Sequence, residues 1–525
     1  VKVWQLLWTN ANPASRVNNM QALNTTVKIA VIGAGAMGSG IAQVAAQAGH
    51  CVYLQDQQAG AAEKGKASIA KILQKRVSNG KMQQADLDTL LGRIQPVDSL
   101  EELADAGLVI EAIIENLGIK RQLFASLEAL CNDDVILATN TSSISVTSLG
   151  AELKRPERLL GMHFFNPAPL MALVEVVLGL ATDKKLAEVV HATAAAWGKK
   201  PVFATSTPGF IVNRVARPFY AESLRLMQEQ VADPATLDAL LREAGSFRMG
   251  PFELMDLIGH DVNYAVTESV FSAYYGDFRF QPSLIQKALV EAGRLGRKTG
   301  QGFYSYTDGT ERTSPATEAK QSTTKQPVII EGELGAARGL IERFQQAGLT
   351  VIQRMGGGVI RYGEATLALT DGRMAGERAV ADDLQELVIF DLAEDYQQAT
   401  RLAIAAAEQT SATAIKDATA LLQQAGLAVS LLNDSPGLVV MRTLAMLANE
   451  AADAVLQGVA SAADVDLAMC AGVNYPQGPL GWADSLGQGV IWQVLTNLQA
   501  SYGEDRYRPS LLLRRNSFTG QFFIA

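Results

Sequence analysis

Four histidines occur in the chain, and one of them, His163, stands in the run G-M-H-F-F-N-P-A-P-L-M-A-L-V-E from Gly161 to Glu175. A histidine set among aromatics, with Pro167 and Pro169 just beyond it, is a candidate general base. Twelve residues on, Glu175 lies inside L-V-E-V-V, an apolar run of strand type where an unpaired carboxylate is costly to bury. A carboxylate bonded to one ring nitrogen fixes the imidazole tautomer and aims the other nitrogen, as proton abstraction requires. Taken alone, the two residues fit a core histidine beside a satisfied buried acid at least as well. The rest of the chain must separate the two readings.

From Lys28 the pattern is V-K-I-A-V-I, a buried strand, then G-A-G-A-M-G, then a small-residue helix closed by Gly49. A second strand, C-V-Y-L-Q, ends at Asp56, 23 residues after Gly33. In this order Gly33 supplies the tight turn, Gly35 the close approach of backbone to a pyrophosphate, and Gly38 the packing of helix on strand. The unpaired N–H groups of the helix start face the phosphates. Asp56 can accept both ribose hydroxyls, and with Gln57 and Gln58 beside it and no arginine, NAD is favoured over NADP.

Residues 59–93 interrupt the alternation of strand and helix. Between Glu63 and Lys81, six cations, Lys64, Lys66, Lys71, Lys75, Arg76 and Lys81, stand against the single acid Glu63, in a chain of net charge -9. Lys64, Lys71 and Lys75 share a helical face, which suits either a phosphorylated carrier or plain solvation. The alternation resumes with G-L-V-I-E-A, followed by Glu115 and Lys120, and with D-V-I-L-A-T-N-T-S-S, a strand that runs into a polar turn at Asn140–Ser143. In an open parallel sheet, ligands sit at the carboxyl ends of strands, which places Glu115 and Ser142 beside the cofactor. Capping of the next helix is the other reading for these hydroxyls.

A helix over about 183–197 and the strand K-K-P-V-F-A close this domain, and T-P-G-F-I-V-N-R opens an all-helical region containing Asn213. Residues 307–327, rich in Ser, Thr, Pro and charge, read as a linker. Beyond it, residues 435–494 repeat 207–266 at a constant offset of 228, with Arg214 matched by Arg442, Glu222 by Glu450 and Asp256 by Asp484. Asn213 is matched by Met441. The run V-I-I-E-G-E-L-G at 328–335 has Glu331 where the first glycine of a nucleotide turn belongs, and no counterpart of the His163 segment is found in 328–433. One active site per chain is expected, with the helical copies packed about an internal pseudo-twofold.

Length allows three or four domains at one per ~150 residues. The acidic balance disfavours a general nucleic-acid role and leaves room for a local basic patch. Three separated cysteines give neither a disulfide framework nor a zinc site, and no metal is expected. The same cysteine usage leads to the expectation of a reducing cytoplasm; no run is long and apolar enough for a membrane span, and residues 1–27 do not read as a secretory leader.

Six motifs agree in order over residues 28–306: G-A-G-A-M-G, E-A-I-I-E-N, N-T-S-S, M-H-F-F-N-P, L-V-E-V and T-P-G-F-I-V-N-R. Together they resemble the L-3-hydroxyacyl-CoA dehydrogenases, and the degenerate second copy is similar to bacterial two-module members of that family. The resemblance implies NAD as cofactor and an acyl-CoA substrate, either 3-hydroxyadipyl-CoA of phenylacetate breakdown or 3-hydroxybutyryl-CoA. It implies catalytic roles for His163, Glu175, Ser142 and Asn213, cofactor contacts for Glu115, Lys120, Asn140 and Lys298, and CoA contacts for Ser68 and Lys75. A CoA-independent 3-hydroxy acid dehydrogenase is the competing enzyme, and a non-catalytic NAD-binding protein the competitor of another class.

The expected architecture is α/β. A disordered extension (1–27) precedes a Rossmann-type NAD-binding domain (28–206) with helical insertion 59–93, and an all-α domain (207–306) follows. After the linker come a degenerate Rossmann-like segment (328–433), a second all-α domain (434–515) and a tail (516–525). Homo-oligomerisation is left open.

Overall fold

The computed structural model describes residues 21–307, 309, 313–322 and 326–524. The chain forms two compact units, one holding the residues up to Val212 with Gln457–Val473, the other Asn213–Leu456 with the residues from Asn474 onward. Most of the expected N-terminal extension lies outside the described residues, while Leu23 donates its N–H to Thr193 Oγ1 at 3.0 Å.

The first unit is built on β1 (Ile29–Ile32), β2 (Val52–Gln55), β3 (Ile94–Val97), β4 (Leu108–Glu111), β5 (Ile136–Thr139), β6 (Leu159–Phe164), β7 (Leu173–Leu178) and β8 (Lys200–Thr205). Their order in the sheet is β3-β2-β1-β4-β5-β6-β7-β8. Neighbours are parallel except β6 and β7, which run antiparallel with His163 opposite Glu175. Apolar runs such as I-A-V-I are fully buried because helices cover both faces of a parallel sheet. Strand β3 was not foreseen: its I-Q-P-V carries Pro96, which an edge strand tolerates and sequence patterning discounts. The helix Ala462–Val473, from the second half of the sequence, packs in this unit against β7 and β8.

The second unit holds β9 (Val328–Glu331), β10 (Val351–Arg354), β11 (Val359–Tyr362), β12 (Ala365–Leu369), β13 (Leu387–Phe390), β14 (Arg401–Ala406) and β15 (Ala428–Leu431), ordered β10-β9-β11-β12-β13-β14-β15. Strand β11 is antiparallel to both neighbours, a hairpin standing in for a helical crossover. Glu331, in place of a turn glycine, pairs with Arg361 at 2.8 Å. Both long helices of the repeat pack here, Arg217–Gln228 on Val440–Leu456. Arg214 Nε donates to Glu450 at 2.6 Å and Arg442 Nε to Glu222 at 2.7 Å, so each copy's arginine binds the other copy's glutamate. That reciprocity is the local signature of a pseudo-twofold. Helix Pro234–Glu243, the repeat counterpart of Ala462–Val473, packs on β14.

Three sequence expectations need correction. The His163 segment does have a counterpart, because β13 and β14 pair antiparallel and β14 and β15 parallel, as β6, β7 and β8 do. At the offset of 228 Asp391 stands for His163 and Ala403 for Glu175; with both chemical residues replaced, motif matching could not see the relation. Residues 316–321 of the linker are docked, with Glu318 N–H donating to Val429 O at 2.8 Å and Ser430 Oγ to Ala316 O at 2.6 Å. The C-terminal residues are not a loose tail either. A helix runs over Leu511–Thr519, and Phe523 and Ile524 donate backbone N–H groups to Asp484, as Phe303 and Tyr304 do to Asp256. The repeat spacing changes by eight residues there, which broke the ungapped match.

Candidate active site

Strands β1, β4, β5 and β6 all end on one edge of the first sheet, and the candidate residues follow those ends. After β1, the three glycines differ in what constrains them. Gly33 has φ +100°, and a Cβ there would meet Ala112 O at 2.5 Å. A Cβ on Gly38 would lie 1.7 Å from Gly33 O. Nothing lies within 4 Å of a Cβ built at Gly35, so the protein itself does not fill that space. The helix Ala36–Gln47 starts there with no side-chain cap, leaving its first N–H groups to a ligand. Asp56 Oδ2 accepts the Ala34 N–H at 2.7 Å and Oδ1 that of Gln58 at 2.9 Å, which fixes its carboxylate beside the glycine turn. An open cradle, a free helix start and an acid at the next strand end fit a dinucleotide.

His163 is 5% exposed and Glu175 fully buried, with His163 Nδ1 2.6 Å from Glu175 Oε2. The other carboxylate oxygen accepts the N–H groups of Ile211 and Val212, each at 3.0 Å. Both oxygens are therefore used, which answers the cost of burying the charge. Phe165 and Phe210 flank the imidazole at 4.6 and 5.7 Å. Asn140 Oδ1 accepts the Phe164 N–H at 2.8 Å and so pins the end of β6. Lys199 fastens the following loop through the carbonyls of Ala168 and Met171. A Cβ on Gly40 would touch Pro169 and Ala168, so this loop rests on the helix that starts at the glycine turn.

Glu115 accepts from Thr141 Oγ1 at 2.5 Å, from Ser143 Oγ at 2.8 Å and from the N–H groups of Ser142 and Ser143. Burial works against its charge, but Lys120 and these donors prevail and hold the carboxyl below the usual range. Lys120 is 1% exposed and bound to Glu111 at 2.6 Å and Glu115 at 3.2 Å. It stands behind the turn and would act on a cofactor through Glu115. Glu111, fully buried, also accepts from Thr139 Oγ1 and the Ile113 N–H; sequence reading missed it, although an acid inside G-L-V-I-E-A carries the same signal as Glu175. Ser142 Oγ makes no hydrogen bond among the described residues, and the cap of the next helix is Ser145, which accepts from the Ser148 N–H.

On helix Ala61–Ser78, Lys64, Ser68, Lys71 and Lys75 are exposed along one stripe, with Ile72 60% exposed beside them. A cationic stripe around an apolar side chain can hold phosphates and an apolar arm together. Asn213 and Lys298 belong to the second unit, where Lys298 pairs with Asp261 at 2.5 Å. Among the described residues no group of three or more His, Cys, Asp or Glu could hold a metal ion. No described helix is long and apolar enough to cross a membrane.

Comparison with known proteins matches residues 28–207 to the 3-hydroxyacyl-CoA dehydrogenase NAD-binding domain, and 209–306 and 437–522 to the C-terminal domain of the same name. Residues 367–436 match the 3-hydroxybutyryl-CoA dehydrogenase reduced Rossmann-fold domain. A 3-hydroxyadipyl-CoA dehydrogenase of Escherichia coli K12 is 45% identical over 489 residues, covering 93% of this chain and 97% of its own. A probable 3-hydroxybutyryl-CoA dehydrogenase of Deinococcus radiodurans is 44% identical over 280 residues, 53% of this chain and 100% of its own. The crystal structure of a 3-hydroxybutyryl-CoA dehydrogenase from Escherichia coli K12 superposes with a TM-score of 0.87 at 44% identity, covering 95% of this chain and 99% of that one.

Proposed function

The chain belongs to the 3-hydroxyacyl-CoA dehydrogenase family, and from that premise we propose that its substrate is (S)-3-hydroxyadipyl-CoA. The reaction class is the family's, NAD-dependent oxidation of a 3-hydroxyacyl-CoA to the 3-oxoacyl ester. The adipyl ester is chosen because the relative matched over both halves of this chain carries that name. The 3-hydroxybutyryl ester is the second reading, favoured by the names of the half-length relatives.

NAD, held at the glycine turn and Asp56, would supply the acceptor for the hydride of substrate C3. His163 takes the 3-hydroxyl proton at Nε2, because Nδ1 is held by Glu175, and Glu175 stabilises the imidazolium that results. Ser142, with its uncommitted hydroxyl, and Asn213, carried over by motif, hydrogen-bond the reacting oxygen or the thioester. Gly33, Gly35, Gly38 and Asp56 hold the dinucleotide, with Asn140 and the Glu115–Lys120 pair shaping its pocket and Lys298 carried over by motif. Ser68 and Lys75 take CoA. A cytoplasmic location goes with this reading.

The observation that carries it is the His163–Glu175 pair at the same sheet edge as the open glycine cradle. NADH formation by the purified protein, with the (S)-3-hydroxyadipyl and (S)-3-hydroxybutyryl esters and with NAD or NADP, tests it. Faster oxidation of the adipyl ester with NAD is expected. Preference for the butyryl ester moves the assignment to the second reading, and inertness toward both removes it.

A further inference from the structure

The second unit contains a cavity of about 410 Å³ between helix Arg217–Gln228 and the segment 279–286, with Glu504 and Arg506 at its border. Four arginines, Arg217, Arg225, Arg279 and Arg506, line it, against two acids, Glu229 and Glu504. Arg279 is neutralised by Glu450 and Asp453, and Arg225 and Arg506 lean on Glu504. Glu229 is engaged by Arg442 and Tyr502. Arg217 is different. It is 5% exposed and has no carboxylate partner among the described residues; one N–H reaches Thr267 Oγ1 at 3.0 Å, and the guanidinium lies over the Tyr220 ring.

Buried donors lacking acceptors are rare in folded proteins because each loses its bond to water without replacement. Three of them belong to residues of this one cavity: Nε of Arg217 and of Arg279, and Oγ of Ser283. Burial also presses the Arg217 guanidinium below its ordinary range, the mark of a cation without its counterion. The degenerate helical copy does without it: at the offset of 228 Arg217 becomes Ala445, while the structural arginine Arg214 remains Arg442.

We propose that this cavity is a binding site for a carboxylate group, seated on Arg217, the one arginine of its lining without a carboxylate partner among the described residues. A planar carboxylate matches the fork of a guanidinium, and in a cavity this size an organic acid of several carbons fits. The carboxylate has two possible sources, a free organic acid or the far end of a dicarboxylyl-CoA; only the second rests on the substrate reading above.

The test is binding, measured by calorimetry on the full chain, so that it stands apart from turnover. The probes are adipate, hexanoate, adipyl-CoA, hexanoyl-CoA and inorganic phosphate, on the unaltered chain, Arg217→Gln and Ala221→Glu. The last places a competing carboxylate in the cavity from a lining position. A charge-assisted pair predicts about 10- to 100-fold tighter binding of the dicarboxylate member, lost in both variants. Discrimination confined to the CoA esters assigns the acyl end, and discrimination between the free acids assigns a separate acid site. Equal binding of both members of each pair, binding of phosphate in preference to carboxylate, or discrimination that survives in Ala221→Glu would overturn the proposal. Should Arg217→Gln not fold, Ala221→Glu and the unaltered chain still decide it.

Discussion

Glu175 binds His163 Nδ1 with one oxygen and, with the other, the N–H groups of Ile211 and Val212 where the chain turns into its first helical repeat. One carboxylate thus orients the imidazole and anchors a helix start. Glu175→Gln keeps the shape but offers an amide N–H where an acceptor is needed. Turnover is expected to fall by about 10²- to 10⁴-fold with NADH affinity unchanged. Steady-state kinetics beside NADH fluorescence titration check it, and near-normal turnover would remove Glu175 from the mechanism.

Gly35 and Gly38 are expected to separate folding from cofactor binding. A Cβ at Gly35 meets nothing, whereas one at Gly38 strikes the Gly33 carbonyl. Gly35→Ala should therefore leave the melting temperature in place and weaken NAD binding at least tenfold. Gly38→Ala should lower the melting temperature outright. Calorimetric melting with and without NAD distinguishes them; equal thermal losses in the two variants would mean the space at Gly35 is not reserved for a ligand.

Asp391, the counterpart of His163, carries a pH dependence. Burial pushes its carboxyl up to about 6, although the N–H groups of Leu392, Val439, Val440 and Met441 pull the other way. With the folded value above the unfolded 3.8, the unfolded chain releases this proton first as pH rises, so the folded state loses stability across that window. The loss is up to about 3 kcal/mol. The stability advantage of the unaltered chain over Asp391→Asn should shrink from pH 4 to pH 6 and level off above it. Urea titrations across the range measure this, and an advantage that grows with pH would show that the backbone donors outweigh burial.

The crossed pairs Arg214–Glu450 and Arg442–Glu222 are fully desolvated, so removing one partner strands a charge. Arg442→Met should cost about 3–5 kcal/mol, and Arg442→Met with Glu222→Leu less than the single change. A urea double-mutant cycle reports the coupling; simple additivity would deny it.

Much of the first sheet was legible because buried parallel strands read as continuous apolar runs and the glycine turn has fixed spacing. The site was legible where an acid sits in an apolar strand, as Glu175 does. Glu111 carries the same signal, an acid at the end of an apolar strand. The relation of Asp391 to His163 could not be read, since it lives in strand register and the residues share no chemistry. The docking of residues 316–321 was hidden for a different reason, because backbone groups make it and composition reports side chains. Lys120 shows a further limit: sequence marks it as a charge near the cofactor, and only burial reveals that its partners are Glu111 and Glu115.

Helix Ala462–Val473 lies on the first sheet while its repeat counterpart Pro234–Glu243 lies on the second. Each half of the gene therefore carries a part that the other half's sheet requires. The second copy carries Asp391, Ala403 and Met441 where the first has His163, Glu175 and Asn213, yet it supplies a helix to the first sheet. A truncation that removed the second copy would therefore also strip a helix from the first sheet.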